Sequence, residues 1–203
     1  MCHAVLGSST FWSFLLLLDH DLAADARVAG CLFCGGALHS ARYPRKPRGV
    51  ERSVLGVAYE TRLSFCCDRD GCRRRMTPPS VRFLGRRVFL GAVVVLATAL
   101  AHGLNGRRTA VLCVQFSVST RTLRRWRAWW VETFVASATW SAIRARLATP
   151  ITIALLPAAL LERCAGADEA RRLTQLLRLL APLSGSRLVR ESMSPAEAAT
   201  SAG

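Results

Sequence analysis

Four cysteines of this chain occur in two pairs whose spacing suits the coordination of one metal ion. Cys31 and Cys34 are separated by two residues and Cys67 and Cys72 by four; two glycines follow Cys34 and one precedes Cys72. Thiolates three positions apart can reach one tetrahedral ion, and glycine lets the backbone turn beneath it. Four sulfur ligands close the coordination sphere, whereas a catalytic zinc keeps one position open. The sequence therefore predicts one structural Zn²⁺ held by these four cysteines.

The second pair leaves an alternative open, because Cys66 directly precedes Cys67. Side chains alternate along a strand, so only one of the two can face the metal. The shorter spacing to Cys72 favours Cys67; Cys66 is the alternative ligand and His39 an outside candidate. Cysteine is also a common buried core residue. Buried free thiols are the expectation for Cys2, Cys113 and Cys164.

The charge balance predicts a polyanionic partner. The 203 residues carry a formal net charge of +15, which favours nucleic acid or an anionic membrane surface. Of the lysines and arginines, only Lys46 is lysine, and alanine is also abundant. A GC-rich genome favours both arginine and alanine, so part of the positive charge can come from codon usage. The placement of the charges therefore matters more than their total. The apolar run Phe11–Leu18 is short and lacks a basic leader, so no secretory signal is expected. The paired cysteines fit a reducing cytoplasm, with the chain associated with the nucleoid.

Basic residues concentrate around the paired cysteines, where few acidic residues balance them. The basic ones are Arg42, Arg45, Lys46, Arg48, Arg52, Arg62, Arg73, Arg74, Arg75 and Arg82, against Glu51, Glu60, Asp68 and Asp70. Of these, the run Arg73, Arg74 and Arg75 directly follows the second pair. A solvated face is the usual meaning of such a run, but this density beside a metal knuckle favours contacts with phosphate groups.

The pattern of elements predicts a mainly α fold with a small β zinc ribbon. We expect a helical arm at 1–29 with its helix at 10–29, a ribbon at 30–79, a helix-turn-helix at 80–135, helices at 136–183 and a disordered tail at 184–203. Short β-like segments at 37–43 and 59–66 flank a charged loop at 44–56. Pro150 and Pro157 should break the later helices. An apolar stripe at helical spacing is formed by Leu173, Leu176, Leu177 and Leu180.

Residues 85–134 are predicted to form three helices, at Val88–His102, at Arg107–Gln115 and from Thr120 onward. Cys113 is small enough for a helix crossing, while Phe116 and Val118 would enter the core on either side of the turn. The hydroxyl of Ser119 can cap the third helix at the Thr122 amide. One side of that helix is apolar, with Leu123, Trp126, Trp130 and Phe134. The other side carries Thr120, Arg121, Arg124 and Arg125 near the helix start, where a recognition helix reads bases. The alternative is an ordinary helical hairpin with an arginine face.

The uncharged run Val88–Ala101 raises the alternative of a small membrane protein with a cytoplasmic zinc ribbon. A span needs about 20 apolar residues, and arginines flank this run closely on both sides. We therefore expect a buried helix rather than a membrane span.

With both motifs placed, the chain resembles the zinc-ribbon plus helix-turn-helix proteins of bacterial insertion sequences, over about residues 30–135. Cys31-x-x-Cys34-Gly-Gly with Phe65-Cys-Cys67 and Cys72-Arg-Arg-Arg resembles the transposase-type ribbon. Ser117-Val-Ser-x-x-Thr-Leu123-x-x-Trp126 resembles the homeodomain-like helix-turn-helix. Two departures are Ser117 in place of the usual turn glycine, at a cost of roughly 1–2 kcal/mol if left-handed, and the longer second cysteine spacing.

The resemblance implies an accessory or regulatory protein of a mobile element that binds double-stranded DNA. A transposase or another mobile-element protein, and a second copy of the chain, are the candidate protein partners. A transposase core needs three carboxylates that hold two metal ions. The acidic residues after position 80 are Glu132, Glu162, Asp168, Glu169, Glu191 and Glu197, and none lies on a strand-like apolar run. The prediction is therefore a non-catalytic binding module; a recombinase or nuclease component is the alternative.

Overall fold

The computed structural model describes residues 3–45, 49, 50, 55, 57–84, 88–101 and 106–185. Residues 186–203 of the predicted tail, Cys2, and Lys46, Arg48, Glu51 and Arg52 of the predicted loop lie outside this part of the chain. Ser184, which the sequence assigned to the tail, instead ends a 3₁₀ turn and is hydrogen-bonded.

Helices dominate the described part, and short antiparallel strands occupy its first half. The helices are α1 His3–Leu6, α2 Ser9–Ala29, α3 Val57–Glu60, α4 Leu90–Ala101, α5 Gly106–Gln115, α6 Thr120–Val131, α7 Ala138–Arg144, α8 Ala158–Arg163 and α9 Glu169–Leu180, with 3₁₀ turns at Phe134–Ala136, Ile153–Leu155 and Ala181–Ser184. The strands are β1 Leu38–Ser40, β2 Tyr43–Pro44, β3 Thr61–Arg62, β4 Phe65–Cys67, β5 Arg75–Met76, β6 Phe83–Leu84 and β7 Val88–Phe89. They pair in the order β1-β4-β5, β2-β3 and β6-β7.

Helix α2 confirms the helix predicted at 10–29. The Ser8 hydroxyl caps it by accepting a hydrogen bond from the Phe11 amide at 3.3 Å, and Gly30 ends it with φ of 75°, a conformation that suits glycine. Its first half buries Trp12 and Leu15 in the main core. Further along, Ala23 packs into a second, smaller core beneath the cysteines. The same helix thus joins the two cores.

The smaller core, which we call the ribbon cluster, lies between α2 and the three-stranded sheet. Its buried members are Ala23, Cys31, Leu38, Leu63, Phe65, Cys67 and Met76. Strand β4 lies at the centre of this sheet, paired with β1 and β5. The predicted segment 59–66 is only partly extended, because Tyr59 and Glu60 belong to the short helix α3.

A buried ion pair lies at the junction of the two cores. Asp19 of α2 accepts hydrogen bonds from the hydroxyl of Ser80, the amide of Val81 and Nε of Arg82, at 2.6, 2.7 and 2.7 Å. Arg82 is 0% exposed and also donates to the backbone carbonyls of residues 59 and 61. A buried charge requires partners of this kind.

The prediction that Arg62 and Arg82 contact phosphate is wrong. Arg62 is also buried and donates to the carbonyls of Pro78 and Ser184 at 2.5 and 3.0 Å. Both guanidinium groups cross-link backbone segments that are distant in sequence. They stabilise the junction and are not part of the exposed basic surface.

The apolar run after residue 88 is buried, but it begins as a strand. Val88 and Phe89 pair with β6, so the helix predicted from Val88 starts at Leu90. The side chains from Leu90 to Ala97 are buried and contact α6, α8 and α9. No helix in the described ranges is long and apolar enough to cross a membrane.

The C-terminal helices close the main core, and α9 confirms the apolar stripe of leucines predicted at helical spacing. Leu173, Leu176, Leu177 and Leu180 are all fully buried on α9. The Asp168 side chain caps this helix by accepting from the Arg171 amide at 2.7 Å. Helical structure breaks between α7 and α8, the region that contains Pro150 and Pro157.

Candidate functional site

The four predicted cysteines converge on one point. The sulfur atoms of Cys31, Cys34, Cys67 and Cys72 all lie within 4.8 Å of one another. Sγ of Cys31 is 3.7 Å from Sγ of Cys72, and Sγ of Cys34 is 3.4 Å from Sγ of Cys67. In a tetrahedron with Zn–S bonds of about 2.3 Å the sulfurs lie about 3.8 Å apart. The four cysteines can therefore hold one metal ion without rearrangement of the backbone.

The first cysteine pair sits on a tight backbone turn. The Gly35 amide donates to the Cys31 carbonyl at 2.7 Å, and the Cys31 amide donates to the Gly36 carbonyl at 2.9 Å. Gly35 has φ of 68°, which L side chains rarely adopt. At Gly36 a Cβ atom would lie 3.1 Å from Sγ of Cys67. The two glycines therefore allow the turn and the close approach of the second pair.

The second pair is held by strand β4 and the turn after it. Cys67 ends β4, and its amide donates to the Arg74 carbonyl at 3.0 Å. The segment between Cys67 and Cys72 contains a left-handed glycine, Gly71, with φ of 82°, and Arg73 directly after the pair is also left-handed, with φ of 43°. Arg69, which the sequence reasoning did not single out, donates to the Cys34 carbonyl at 2.8 Å. This hydrogen bond links the turn of the second cysteine pair to the turn of the first.

The thiols of the cluster differ in acidity. The Phe33 backbone N–H points at the sulfur of Cys31 and lowers its pKa to about 7. Burial raises the pKa of Cys67 to about 12. The Arg74 backbone N–H lowers the pKa of Cys72, but burial and the neighbouring thiols outweigh it and leave that pKa raised. A bound cation would be needed to keep the Cys67 and Cys72 thiols ionised at neutral pH.

The structure separates the alternative ligands from the cluster. Cys66 alternates with Cys67 on β4 and donates its S–H to the Arg73 carbonyl at 3.3 Å. His39 is exposed and lies 3.6 Å from a carboxylate oxygen of Asp68. Neither belongs to the four-sulfur group. Cys164, by contrast, is a buried thiol that donates to the Leu160 carbonyl at 3.4 Å.

The arginines after the second pair are exposed but partly engaged. Arg73 pairs with Asp70 at 2.8 Å. The Arg74 guanidinium stacks 4.3 Å from the centre of the Phe33 ring, and that of Arg75 lies 5.4 Å from the Tyr43 ring. Stacking against aromatic rings orients these guanidinium groups while leaving N–H donors available.

Helices α5 and α6 are joined by a tight turn at residues 116–119. Phe116 and Val118 are buried, and the Val118 amide donates to the Cys113 carbonyl at 2.9 Å. Ser117 adopts a left-handed conformation with φ of 50°, at the position where the sequence departs from glycine. The Ser119 hydroxyl accepts from the Thr122 amide at 3.2 Å and caps α6 as predicted.

The two faces of α6 differ sharply in burial and charge. Leu123, Trp126 and Trp130 are buried, and Phe134 follows them into the core. The first two turns expose Thr120, Arg121, Arg124 and Arg125. Arg127 takes a different role, because it donates to the carbonyls of Ala154 and Leu156 and anchors that segment. The exposed arginines therefore form a cationic face at the start of the helix.

Comparisons of the chain with protein-family models, with curated proteins and with solved structures gave no match. What the chain does must therefore be inferred from its own residues and their placement.

Proposed function

We propose that this chain is a non-catalytic DNA-binding protein in which a structural Zn²⁺ holds the ribbon and α5–α6 act as a helix-turn-helix. The observation that carries the proposal is the capped start of α6, which exposes three arginines opposite a fully buried face. Helix α6 contains no acidic residue, so nothing on it offsets their attraction for phosphate or for guanine edges.

Zinc is the metal that the donor set favours. Four thiolates in tetrahedral reach suit Zn²⁺ better than hard cations, which take oxygen ligands. The ribbon cluster buries few apolar residues, so metal binding would supply much of its folding free energy. With every ligand position filled by sulfur, the metal would hold structure and do no chemistry.

The arginines of the ribbon complement α6 in this proposal. Arg73 and Arg74 directly follow Cys72, and Arg75 begins strand β5. The three arginines are thus held next to the cysteine cluster, where they can contact a sugar-phosphate backbone without sequence preference. The resemblance to insertion-sequence proteins favours a regulatory or accessory role in a mobile element. A transposase or a second copy of the chain is the protein partner that such a role would require.

The test is a salt-dependent DNA-binding titration by fluorescence anisotropy, using duplexes selected from a random pool and unrelated duplexes. We expect Arg121→Ala and Arg124→Ala each to cost about 1–3 kcal/mol on the selected duplex and to reduce the preference for it. Arg144→Ala is the matched control, because Arg144 is an exposed helical arginine at the end of α7. A chelator should weaken binding if the ribbon contributes.

Two results would overturn the proposal. In the first, the Arg121 and Arg124 variants bind DNA with the same affinity and salt slope as the Arg144 control. Helix α6 would then have a structural role and no part in DNA binding. Metal-dependent cleavage of plasmid by the purified chain, abolished by changing one acidic residue, would show that the chain is an enzyme.

A further inference from the structure

A small crevice with basic walls lies between α2 and the sheet, and none of the described residues that line it is one of the four clustered cysteines or belongs to α6. It has a volume of about 160 Å³. One wall is a single face of α2 at i, i+3, i+4 and i+7 spacing, and the other belongs to the strands and their flanks. The lining residues are His20, Ala23, Ala24, Arg27, Ser40, Arg42, Leu63, Ser64 and Phe65.

The crevice has an apolar floor and a polar rim. Ala23, Leu63 and Phe65 are buried in the ribbon cluster, and the small alanines leave room above them. The hydroxyl of Ser64 is already engaged, because it donates to the Met76 carbonyl at 3.2 Å. The groups free to meet a ligand are therefore those of His20, Arg27, Ser40 and Arg42, which are all exposed.

The charges of α2 are separated around the helix. No carboxylate is among the described residues that line the crevice. Asp21 and Asp25 line a different depression, with Arg178, and Asp19 is fully engaged with Arg82. The crevice is therefore a cationic recess on a helix that is acidic on another side.

We propose that this crevice binds a phosphate group. Arginine pairs with phosphate through two parallel N–H donors, and Arg27 and Arg42 stand on opposite walls, with the Ser40 hydroxyl as a further donor. On this measure of volume a single water needs about 10–15 Å³, so the crevice is large enough for one tetrahedral oxyanion together with several waters. The source of the phosphate is the nucleic-acid backbone, and this assignment of the source rests on the proposed function.

The experiment compares Arg42→Gln and Arg27→Gln with Arg144→Gln, which removes the same charge from an exposed site outside the crevice. Duplex DNA of several sequences is titrated over a range of salt. We expect each crevice variant to weaken binding to all sequences equally and to lower the salt slope by about one. The Arg144 variant should leave the slope unchanged. Metal content and far-UV circular dichroism establish that each variant is folded.

A second arm uses inorganic phosphate alone and follows the melting temperature. If phosphate raises the melting temperature of the unaltered chain but not that of Arg42→Gln, the crevice binds phosphate. If Arg42→Gln also binds DNA as the unaltered chain does, the ligand is free phosphate rather than the DNA backbone. If both crevice variants match Arg144→Gln in salt slope and in response to inorganic phosphate, the crevice binds no phosphate. Loss of DNA affinity in the α6 variants alongside that result would leave the proposed function standing.

Discussion

Replacement of Asp19 by Asn should destabilise the chain far more than its single lost charge would suggest. The carboxylate accepts three hydrogen bonds, at 2.6, 2.7 and 2.7 Å, in a site where it is 1% exposed. Oδ2 accepts from Ser80 and Arg82, and Oδ1 accepts from Val81. An Asn that keeps its oxygen at the Oδ2 position therefore loses the Val81 bond, turns an N–H₂ group toward that donor, and accepts the other two bonds without a charge. The lost bond costs about 1.5–3 kcal/mol and the two weakened bonds about 1–1.5 kcal/mol each, so the sum is about 3–6 kcal/mol.

That sum agrees with the cost of breaking a buried ion pair by removing one partner, about 3–5 kcal/mol. We expect Asp19→Asn to lower the free energy of unfolding by this amount. For a chain of this length each kcal/mol lowers Tm by about 2–4 °C, so the fall should be about 6–20 °C. Urea unfolding followed by circular dichroism, with an unchanged m-value, measures the free energy directly.

Asp70→Asn is the control, because Asp70 pairs with Arg73 at 2.8 Å while its side chain is 93% exposed. Such a surface pair contributes about 0–1 kcal/mol. If Asp19→Asn changes the unfolding free energy by no more than Asp70→Asn does, the junction is not held by the buried pair. A double-mutant cycle with Arg82→Met should then also show no coupling, whereas the buried pair predicts a coupling above about 1 kcal/mol.

The remaining predictions concern the metal centre and the α5–α6 turn. Cys72→Ser should lose the metal measured in protein from a low-metal preparation, whereas Cys66→Ser should keep about one equivalent; the reverse would show that the ligand set is wrong. Because the pKa values of Cys67 and Cys72 are raised, a metal must displace at least two protons when it binds. The affinity for the metal, measured by competition with a chelator, should therefore fall about 100-fold or more for each unit decrease of pH below 8. A metal affinity that does not depend on pH would contradict this prediction. Ser117→Gly should raise the free energy of unfolding in urea by about 1–2 kcal/mol, because Ser117 has a left-handed backbone. Ser119→Ala should lower it by about 1 kcal/mol, because the cap of α6 is lost. If the two substitutions change the free energy of unfolding equally, the assigned turn is wrong.

Local patterns predicted the parts of the site that depend on local geometry. The two cysteine spacings predicted which four sulfurs meet, because each pair lies on one turn and strand alternation turns Cys66 away. The apolar period of α6 and the Ser119 cap likewise follow from residues within one or two helical turns. These interactions leave a direct mark on the sequence.

Long-range contacts left no such mark. Arg62 and Arg82 look like their exposed neighbours in the sequence, and the partner that buries Arg82 lies 63 residues earlier. The sequence predicts a helix from Val88, but α4 starts at Leu90. A short apolar run is compatible with either a strand or a helix. Only the pairing of Val88 and Phe89 with β6, which the run itself does not encode, decides between them. The crevice brings residues of α2 together with residues of the strands, so no single segment predicts it.

The contacts of Ser184 have a consequence for how the chain is made. Its hydroxyl accepts from the Ser80 amide at 2.6 Å and its carbonyl accepts from Arg62, 122 residues earlier in the chain. At a synthesis rate of about 5–20 residues per second, roughly 6–24 s pass between the appearance of Arg62 and that of its acceptor. Cys31 and Cys34 precede Arg62, and Cys67 and Cys72 follow it within ten residues, so all four ribbon cysteines have been made by the first part of this interval. On the ribosome, the four-cysteine cluster can therefore fold first, and the junction with the main core closes only after Ser184 has emerged.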